Sequence, residues 1–151
     1  MENLTLSQKV LSLDIGCGDF KPDGFIGLDK RKLSCVDIVH DAEVIPYPIN
    51  NETFDIIRVA HLIEHLLPNK IIDIMNEWWR ILKPQGKLYI TMPLGGSKRF
   101  WLDPTHIHAW IPETATYFDS DYPLYQVYQP KAWKILKVEQ NIDLEIVMEK
   151  R

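Results

Sequence analysis

The stretch from residue 54 to residue 92 constrains the fold most. Two nearly continuous apolar runs of strand length, 54–59 and 87–92, flank residues 69–82, where Ile71, Ile72, Met75, Trp78, Trp79 and Leu82 recur at three- and four-residue spacing. That spacing puts the apolar side chains on one face of a helix, whereas runs without alternation suit strands buried on both faces. Pro68 precedes the predicted helix and Lys83-Pro84-Gln85-Gly86 comes after it, so both ends are punctuated. A strand, a helix and a strand in this order imply a right-handed parallel crossover, and hence a sheet covered by helices.

Apolar runs at 10–15, 25–28 and 36–39 predict three more strands, each closed by a polar, Gly or Pro residue. Residues 133–140 and 143–149 read as a hairpin joined near Asn141, which gives a mostly parallel seven-stranded α/β sheet with an antiparallel end. Only residues 16–24 join the first two strands, too few for a full crossover helix, so the first helix is reduced or absent. Residues 93–112 form a long segment containing Gly95-Gly96, Trp101 and Asp103-Pro104, expected to act as a lid or substrate loop. A short helix is expected over 113–118, and the whole of residues 1–151 is expected to be one domain.

Composition narrows the class of partner. Hydrophobic residues at 46% and charged residues at 25% are the balance of a globular chain. With 17 basic against 21 acidic residues the formal charge is -4, which leaves no broad cationic surface and disfavours nonspecific nucleic-acid binding. Residues 1–9 lack a basic stretch leading into an apolar run, and eighteen apolar residues never occur in succession, so no leader or membrane span is read and a cytoplasmic setting is expected. Cys17 and Cys35 are the two cysteines, and both are expected to be reduced thiols.

The turn Leu13-Asp14-Ile15-Gly16-Cys17-Gly18 places two glycines at the carboxyl end of a buried first strand, where open parallel sheets bind ligands and bare backbone allows close approach. Together with segments further along the chain, the turn resembles the first motif of Rossmann-like S-adenosylmethionine-dependent methyltransferases of the small methyltransferase-11-type group. Gly27-Leu28-Asp29 resembles the acidic end of that family's second strand, and Asp41-Ala42 its adenine-contacting pair. Phe54-Asp55 with His61-Leu62-Ile63-Glu64-His65 resembles its fourth-strand region, and Arg80-Ile81-Leu82-Lys83-Pro84-Gln85-Gly86-Lys87-Leu88 its helix-to-fifth-strand turn. The matches run in consistent order over residues 11–92 and imply a Rossmann-like, doubly wound fold with S-adenosyl-L-methionine as cofactor.

The resemblance implies roles for particular residues. Gly16, Cys17 and Gly18 would pass under the methionine part, and Asp14 would meet its amino group or organise the turn. Asp29 is placed like a ribose-binding acid, with a solvated turn residue as the alternative. Asp41 would accept from the adenine amino group and Ala42 donate its N–H, or Asp41 would only cap a turn. Arg58 and Ala60, at the end of the fourth strand, complete the cofactor-side set. Transfer from an activated sulfonium needs alignment more than elaborate catalytic groups, and a base only for a protonated acceptor.

Candidate bases are His61, His65, His106 and His108, which come after the fourth and fifth strands. His61-Leu62-Ile63-Glu64-His65 also matches the letters of a zinc-peptidase pattern, but it adjoins a strand and is cut short by Pro68. A four-histidine metal cluster is the alternative use of these residues, and no metal ligand is assigned. Asp103-Pro104-Thr105-His106-Ile107-His108, with Pro112-Glu113-Thr114 beyond it, resembles an acceptor-facing loop of some small family members. Trp101, Trp110, Tyr117 and Phe118 would either wall the acceptor or pack the core.

Two features depart from the family pattern: the short first crossover, and an end soon after the hairpin with no appended substrate domain. Acceptor recognition is then expected from residues 93–112, from a homodimer or from a partner subunit. No Asp/Asn-Pro-Pro-Tyr-like motif succeeds the fourth strand, which disfavours methylation of a base amino group and leaves an unidentified, small-molecule acceptor. The rival readings are a non-catalytic S-adenosylmethionine-binding subunit and an NAD-dependent dehydrogenase, the latter opposed by the missing third glycine.

Overall fold

The computed structural model describes residues 8–151, so most of the segment inspected for a leader, residues 1–9, lies outside the described residues. The strands are β1 (Ser12–Ile15), β2 (Phe25–Asp29), β3 (Ile38–Val39), β4 (Phe54–Ala60), β5 (Leu82–Pro93), β6 (Trp133–Gln140) and β7 (Asp143–Lys150). They form one seven-stranded sheet in the order β3-β2-β1-β4-β5-β7-β6. Pairings are parallel from β3 to β5 and antiparallel for β5 with β7 and β7 with β6. The helices are α1 (Ile71–Ile81), α2 (Lys98–Leu102) and α3 (Tyr125–Tyr128).

The strand–helix–strand unit is present as β4–α1–β5. Ile71, Ile74, Met75, Trp78 and Ile81 of α1 are buried, and Trp78 is fully enclosed in the core with Leu13, Ile57 and Leu88. Lys83-Pro84-Gln85-Gly86 is not a turn outside the sheet. At Leu82 the chain passes directly into extended backbone, and four residues bulge out between the pairs Phe54↔Leu82 and Ile56↔Lys87. Gln85 takes φ +63, and a Cβ on Gly86 would stand 2.8 Å from the Lys83 carbonyl, so the bulge folds tightly on itself.

Other elements are shorter than expected. β1 begins at Ser12, because the Leu11 N–H turns aside to the Asp55 carboxylate at 2.8 Å, and β3 shrinks to two residues. The first crossover carries no helix, and residues 30–37 and 40–53 carry none either. Pro112–Phe118 is a 3-10 helix, and residues 93–112 contain α2 and a bridge between Leu94 and Trp110, so this segment is pinned rather than loose. Among the described residues no helix is long and apolar enough to cross a membrane.

Where helices are missing, α1 holds the loop that replaces them. Glu77 is buried, accepts the Tyr47 N–H at 2.6 Å, and takes two contacts from Arg80 at 2.6 and 2.9 Å. Arg80 also donates to the Ile49 carbonyl and to Asn51 Oδ1. Trp78 Nε1 donates to the Tyr47 hydroxyl, which itself donates to the Ala42 carbonyl at 2.8 Å. Residues 42–51 are thus tied to the helix by polar contacts that burial strengthens.

Burial raises the Glu77 carboxyl pKa, but the Arg80 and Tyr47 contacts outweigh it and hold the group below its ordinary 4.5. A depressed carboxyl stabilises the fold fully above the unfolded value and loses that contribution as pH falls through the folded one. Glu77→Ala is expected to lower unfolding free energy by about 1.5–3 kcal/mol at neutral pH. Urea unfolding at stepped pH checks this, and the gap between parent and variant should narrow below pH 4.5.

Candidate active site

β1 and β4 lie side by side and parallel, yet the chain leaves β1 toward β2 and leaves β4 toward β5. Their connections therefore run apart at the carboxyl ends, which opens a crevice at this switch point. A cavity of about 560 Å³ occupies it. Gly16 after β1, Leu28 and Asp29 at the end of β2, Asp41 and Ala42 after β3, and His61, Leu62 and His65 after β4 line it.

Gly16 and Gly18 both take left-handed backbone, φ +74 and +59, which glycine adopts without a Cβ penalty. A Cβ on Gly16 would stand 3.0 Å from the Leu62 methyls, so the bare turn preserves the space beneath Leu62. The Gly16 and Cys17 N–H groups both point to the Leu28 carbonyl, at 2.7 and 3.2 Å, and are not free for a ligand. Cys17 is buried beneath the turn, and burial together with Cys35 pushes its thiol up to about 11. Gly18 is outside the lining, and a Cβ on it would stand 3.3 Å from Arg31 Nη2.

Asp29 lines the cavity and also braces it. Its Oδ2 accepts the Gly18 N–H at 2.9 Å, while Oδ1 accepts the backbone and side chain of Arg31 at 2.9 and 3.2 Å. Burial raises its pKa, and these hydrogen bonds reverse the shift and hold it below the ordinary value. A carboxylate offers about four lone-pair positions, so one on Oδ2 remains for a ligand hydroxyl. Asp41 spends Oδ1 on the Glu43 N–H at 2.9 Å, which is the turn-capping role, and keeps Oδ2 open. The Ala42 N–H meets no acceptor among the described residues.

Five of the nine cofactor-side candidates lie outside the lining: Cys17 and Gly18, and also Asp14, Arg58 and Ala60. Asp14 is 1% exposed, and both its oxygens accept from Arg58 Nη1 at 2.9 Å across the β1–β4 pair, so neither side chain reaches the cavity. Burial lifts the Asp14 carboxyl above its ordinary value against the pull of Arg58. Ala60 pairs with Thr91 inside the sheet and is also outside the lining.

The four histidines separate. His61 and His65 line the cavity; His106 and His108 do not. His61 takes φ +53 at the end of β4, a conformation costly for a residue with a Cβ. Its Nδ1 lies 3.4 Å from Glu64 and its Nε2 3.5 Å from Asp143, and chiefly the Glu64 contact raises its pKa. His108 is half-buried, accepts from Trp110 Nε1 at 3.1 Å, and has its pKa lowered by desolvation. The four-histidine cluster therefore does not form, and the zinc-peptidase pattern fails because residues 63–65 make a single 3-10 turn. Of the four, only His65 and His106 meet each other, with ring centroids 4.7 Å apart.

Of the aromatic residues proposed for an acceptor wall, Trp110 and Phe118 stack in the core and Trp101 is exposed, so none lines the cavity. Lining residues to which the sequence assigned no role include Lys30, Arg31, His40, Glu43, Leu66 and Thr105, with Leu28 and Leu62 named only as parts of motifs. Leu62 and Leu66 supply apolar wall four residues apart, and Glu43 ties the two lips by accepting the Leu67 N–H at 2.7 Å. Thr105 arrives from beyond α2, within the 103–108 segment that resembles an acceptor-facing loop, although nothing in the sequence singles it out there.

This topology and crevice define a Rossmann-like fold of the class I methyltransferase type. Residues 22–90 match the methyltransferase-11-type family model, described as a methyltransferase domain. A methyltransferase described as S-adenosylmethionine-dependent, from Archaeoglobus fulgidus, is 18% identical, with 95% of this chain and 87% of that one covered at a TM-score of 0.67. The N-methyltransferase NodS from Bradyrhizobium japonicum, solved with S-adenosyl-L-homocysteine, is 15% identical over 93% of this chain and 78% of its own at 0.62. The [4+2]-cyclase SpnF is 22% identical over 89% of this chain and 54% of its own at 0.58. No curated protein sequence matches the chain.

Arg58→Met is expected to leave a buried carboxylate without its partner and to lower stability by about 1.5–3 kcal/mol. Urea unfolding checks this; unchanged stability would return Arg58 to the pool of ligand-binding candidates.

Proposed function

We propose that this chain is an S-adenosylmethionine-dependent methyltransferase that binds its donor in the switch-point cavity and methylates a small molecule at the edge formed by His61, His65 and Thr105. The observation that carries this reading is the convergence on one cavity of Gly16, Asp29 and the Asp41-Ala42 pair, the polar members of which keep unused capacity toward a nucleoside. The family match over residues 22–90 and the donor product bound to NodS support it.

The residues present fit such a donor. Asp29 would take one ribose hydroxyl on its remaining lone pair. Asp41 Oδ2 and the Ala42 N–H present an acceptor and a donor side by side, matching an adenine edge. Leu28, Leu62 and Leu66 provide apolar wall for the base and exclude water from the transfer path. When bound, the donor supplies an electrophilic methyl on a sulfonium, so the chain's remaining task is to align the acceptor.

On the acceptor side His61 stands between two carboxylates, which favours its charged form and makes it a fixed positive group more than a proton acceptor. The two free cysteines suit a reducing cytoplasmic setting. A non-catalytic binding subunit remains the rival reading, and SpnF is a neighbour of this fold that is named a cyclase and not a methyltransferase.

Calorimetry with S-adenosylmethionine and with NAD, then mass spectrometry of a metabolite extract incubated with labelled donor, tests the proposal. Binding of the first nucleoside and labelling of a small molecule are expected. Preferential NAD binding would refute the reading, and donor binding without transfer unless a second protein is added would establish the subunit alternative. Asp29→Ala should weaken donor binding by about 1.5–3 kcal/mol, and it should also loosen the Gly16–Gly18 turn, since Asp29 holds the Gly18 N–H.

A further inference from the structure

Glu64 is fully buried, and neither of its carboxylate oxygens has a hydrogen-bond partner. A bare buried carboxylate is costly, and native structures supply it with a donor, a proton or a cation. The charged form of His61 faces it with Nδ1 at 3.4 Å, an ion-pair contact that completes no hydrogen bond and leaves both oxygens open to a further ligand. His65 and His106 are also close to Glu64. Each offers a ring nitrogen, and these with a Glu64 oxygen lie within 4.8 Å of one another.

The tautomers of both rings are set by their other contacts. His106 Nδ1 lies 2.7 Å from the Phe100 carbonyl, which only accepts, so Nδ1 carries the proton and Nε2 keeps a lone pair. His65 Nδ1 lies 3.0 Å from Thr105 Oγ1. The single Thr105 hydroxyl proton is donated to Asp103 Oδ1 at 2.7 Å, so Thr105 accepts from His65, and His65 also keeps its lone pair on Nε2. Locking one ring nitrogen as donor so that the other can bind a cation is how metal-binding imidazoles are held.

The backbone brings the groups together. The Glu64 carbonyl accepts the N–H groups of Ile107 at 2.8 Å and His108 at 3.2 Å, which clamps the loop carrying His106 onto the turn carrying Glu64 and His65. Asp103 Oδ2 lies 3.7 Å from His106 Nε2 and adds a second negative charge.

We propose that Glu64, His65 and His106 bind a divalent transition-metal cation, such as zinc or ferrous iron, at the acceptor edge of the cavity. Two imidazoles and one carboxylate form the donor set of catalytic zinc and non-haem iron sites, which leave coordination positions open. Neither histidine nitrogen comes within 4.0 Å of a Glu64 oxygen, too far for a direct hydrogen bond. Metal–ligand bonds of about 2.0–2.2 Å span most of that gap, and the exposed His65 ring can close the rest. The site does not depend on donor binding in the same cavity, so each proposal can fail without the other.

Tag-free protein is stripped with chelator and titrated with Co2+, with absorption tracked in the visible and binding counted by calorimetry. One equivalent is expected, with d–d bands of an N/O site of low coordination number, displaced by one equivalent of Zn2+. His65→Ala, an exposed substitution with little bearing on folding, should abolish the bands. Glu64→Gln should do likewise with circular dichroism unchanged. Thr105→Val, which removes the group orienting His65, should weaken binding by about 10- to 100-fold. Absence of stoichiometric binding by the parent protein, or binding by His65→Ala equal to the parent, would overturn the proposal.

Discussion

The short, wholly buried β1 is the constraint on which the rest depends. All four of its residues are buried, and it pairs in parallel with β2 on one side and β4 on the other. Because the chain proceeds outward from it in both directions, the carboxyl ends of its neighbours cannot be bridged by one connection, and a crevice results. The ion pair of buried Asp14 with the partly exposed Arg58 locks β1 to β4 near the crevice. Removing a partner from such a pair leaves a charge stranded in low dielectric, so the pair secures registry more than it adds affinity for a ligand.

A sheet of this kind is ordinarily covered by a helix at each crossover, and here the connections on the β1–β3 side carry none. The substitute is a set of loops held by side chains of α1. Glu77, Trp78 and Arg80 reach into residues 42–51, and Asp29 reaches back to the Gly18 N–H. Polar contacts to charged, buried groups are directional, so they position Asp41 and Ala42 more narrowly than apolar packing alone would. The cavity wall is accordingly built from loops, yet it is anchored at its Ala42 edge through the Tyr47 hydroxyl.

The opposite lip is organised by backbone rather than by helices. Residues 93–112, expected as a lid or substrate loop, are fastened by the Leu94–Trp110 bridge and by two N–H groups on the Glu64 carbonyl. That fastening carries the loop's histidines to different fates. His108 is turned inward to Trp110, while His106 is delivered to His65 and Glu64. A strict alternation of side chains would have kept both on one side, and the departure comes from the clamp at Ile107 and His108.

By itself the sequence determined the order and type of the main elements, because burial on both faces of a parallel strand and on one face of a helix leaves periodic apolar runs that can be read locally. β4, α1, β5 and the terminal hairpin were legible for that reason, as were Gly16, Asp29 and the Asp41-Ala42 pair, which lie at strand ends. What only the tertiary structure decided is which polar groups are already satisfied by one another. Arg58 meets Asp14 forty-four residues away, and Thr105 meets His65 at forty. Hydrogen bonds and ion pairs across such separations depend on the packing of the whole sheet and leave no periodicity in the chain, so the division between bracing residues and ligand-facing ones emerges only once the strands are in place.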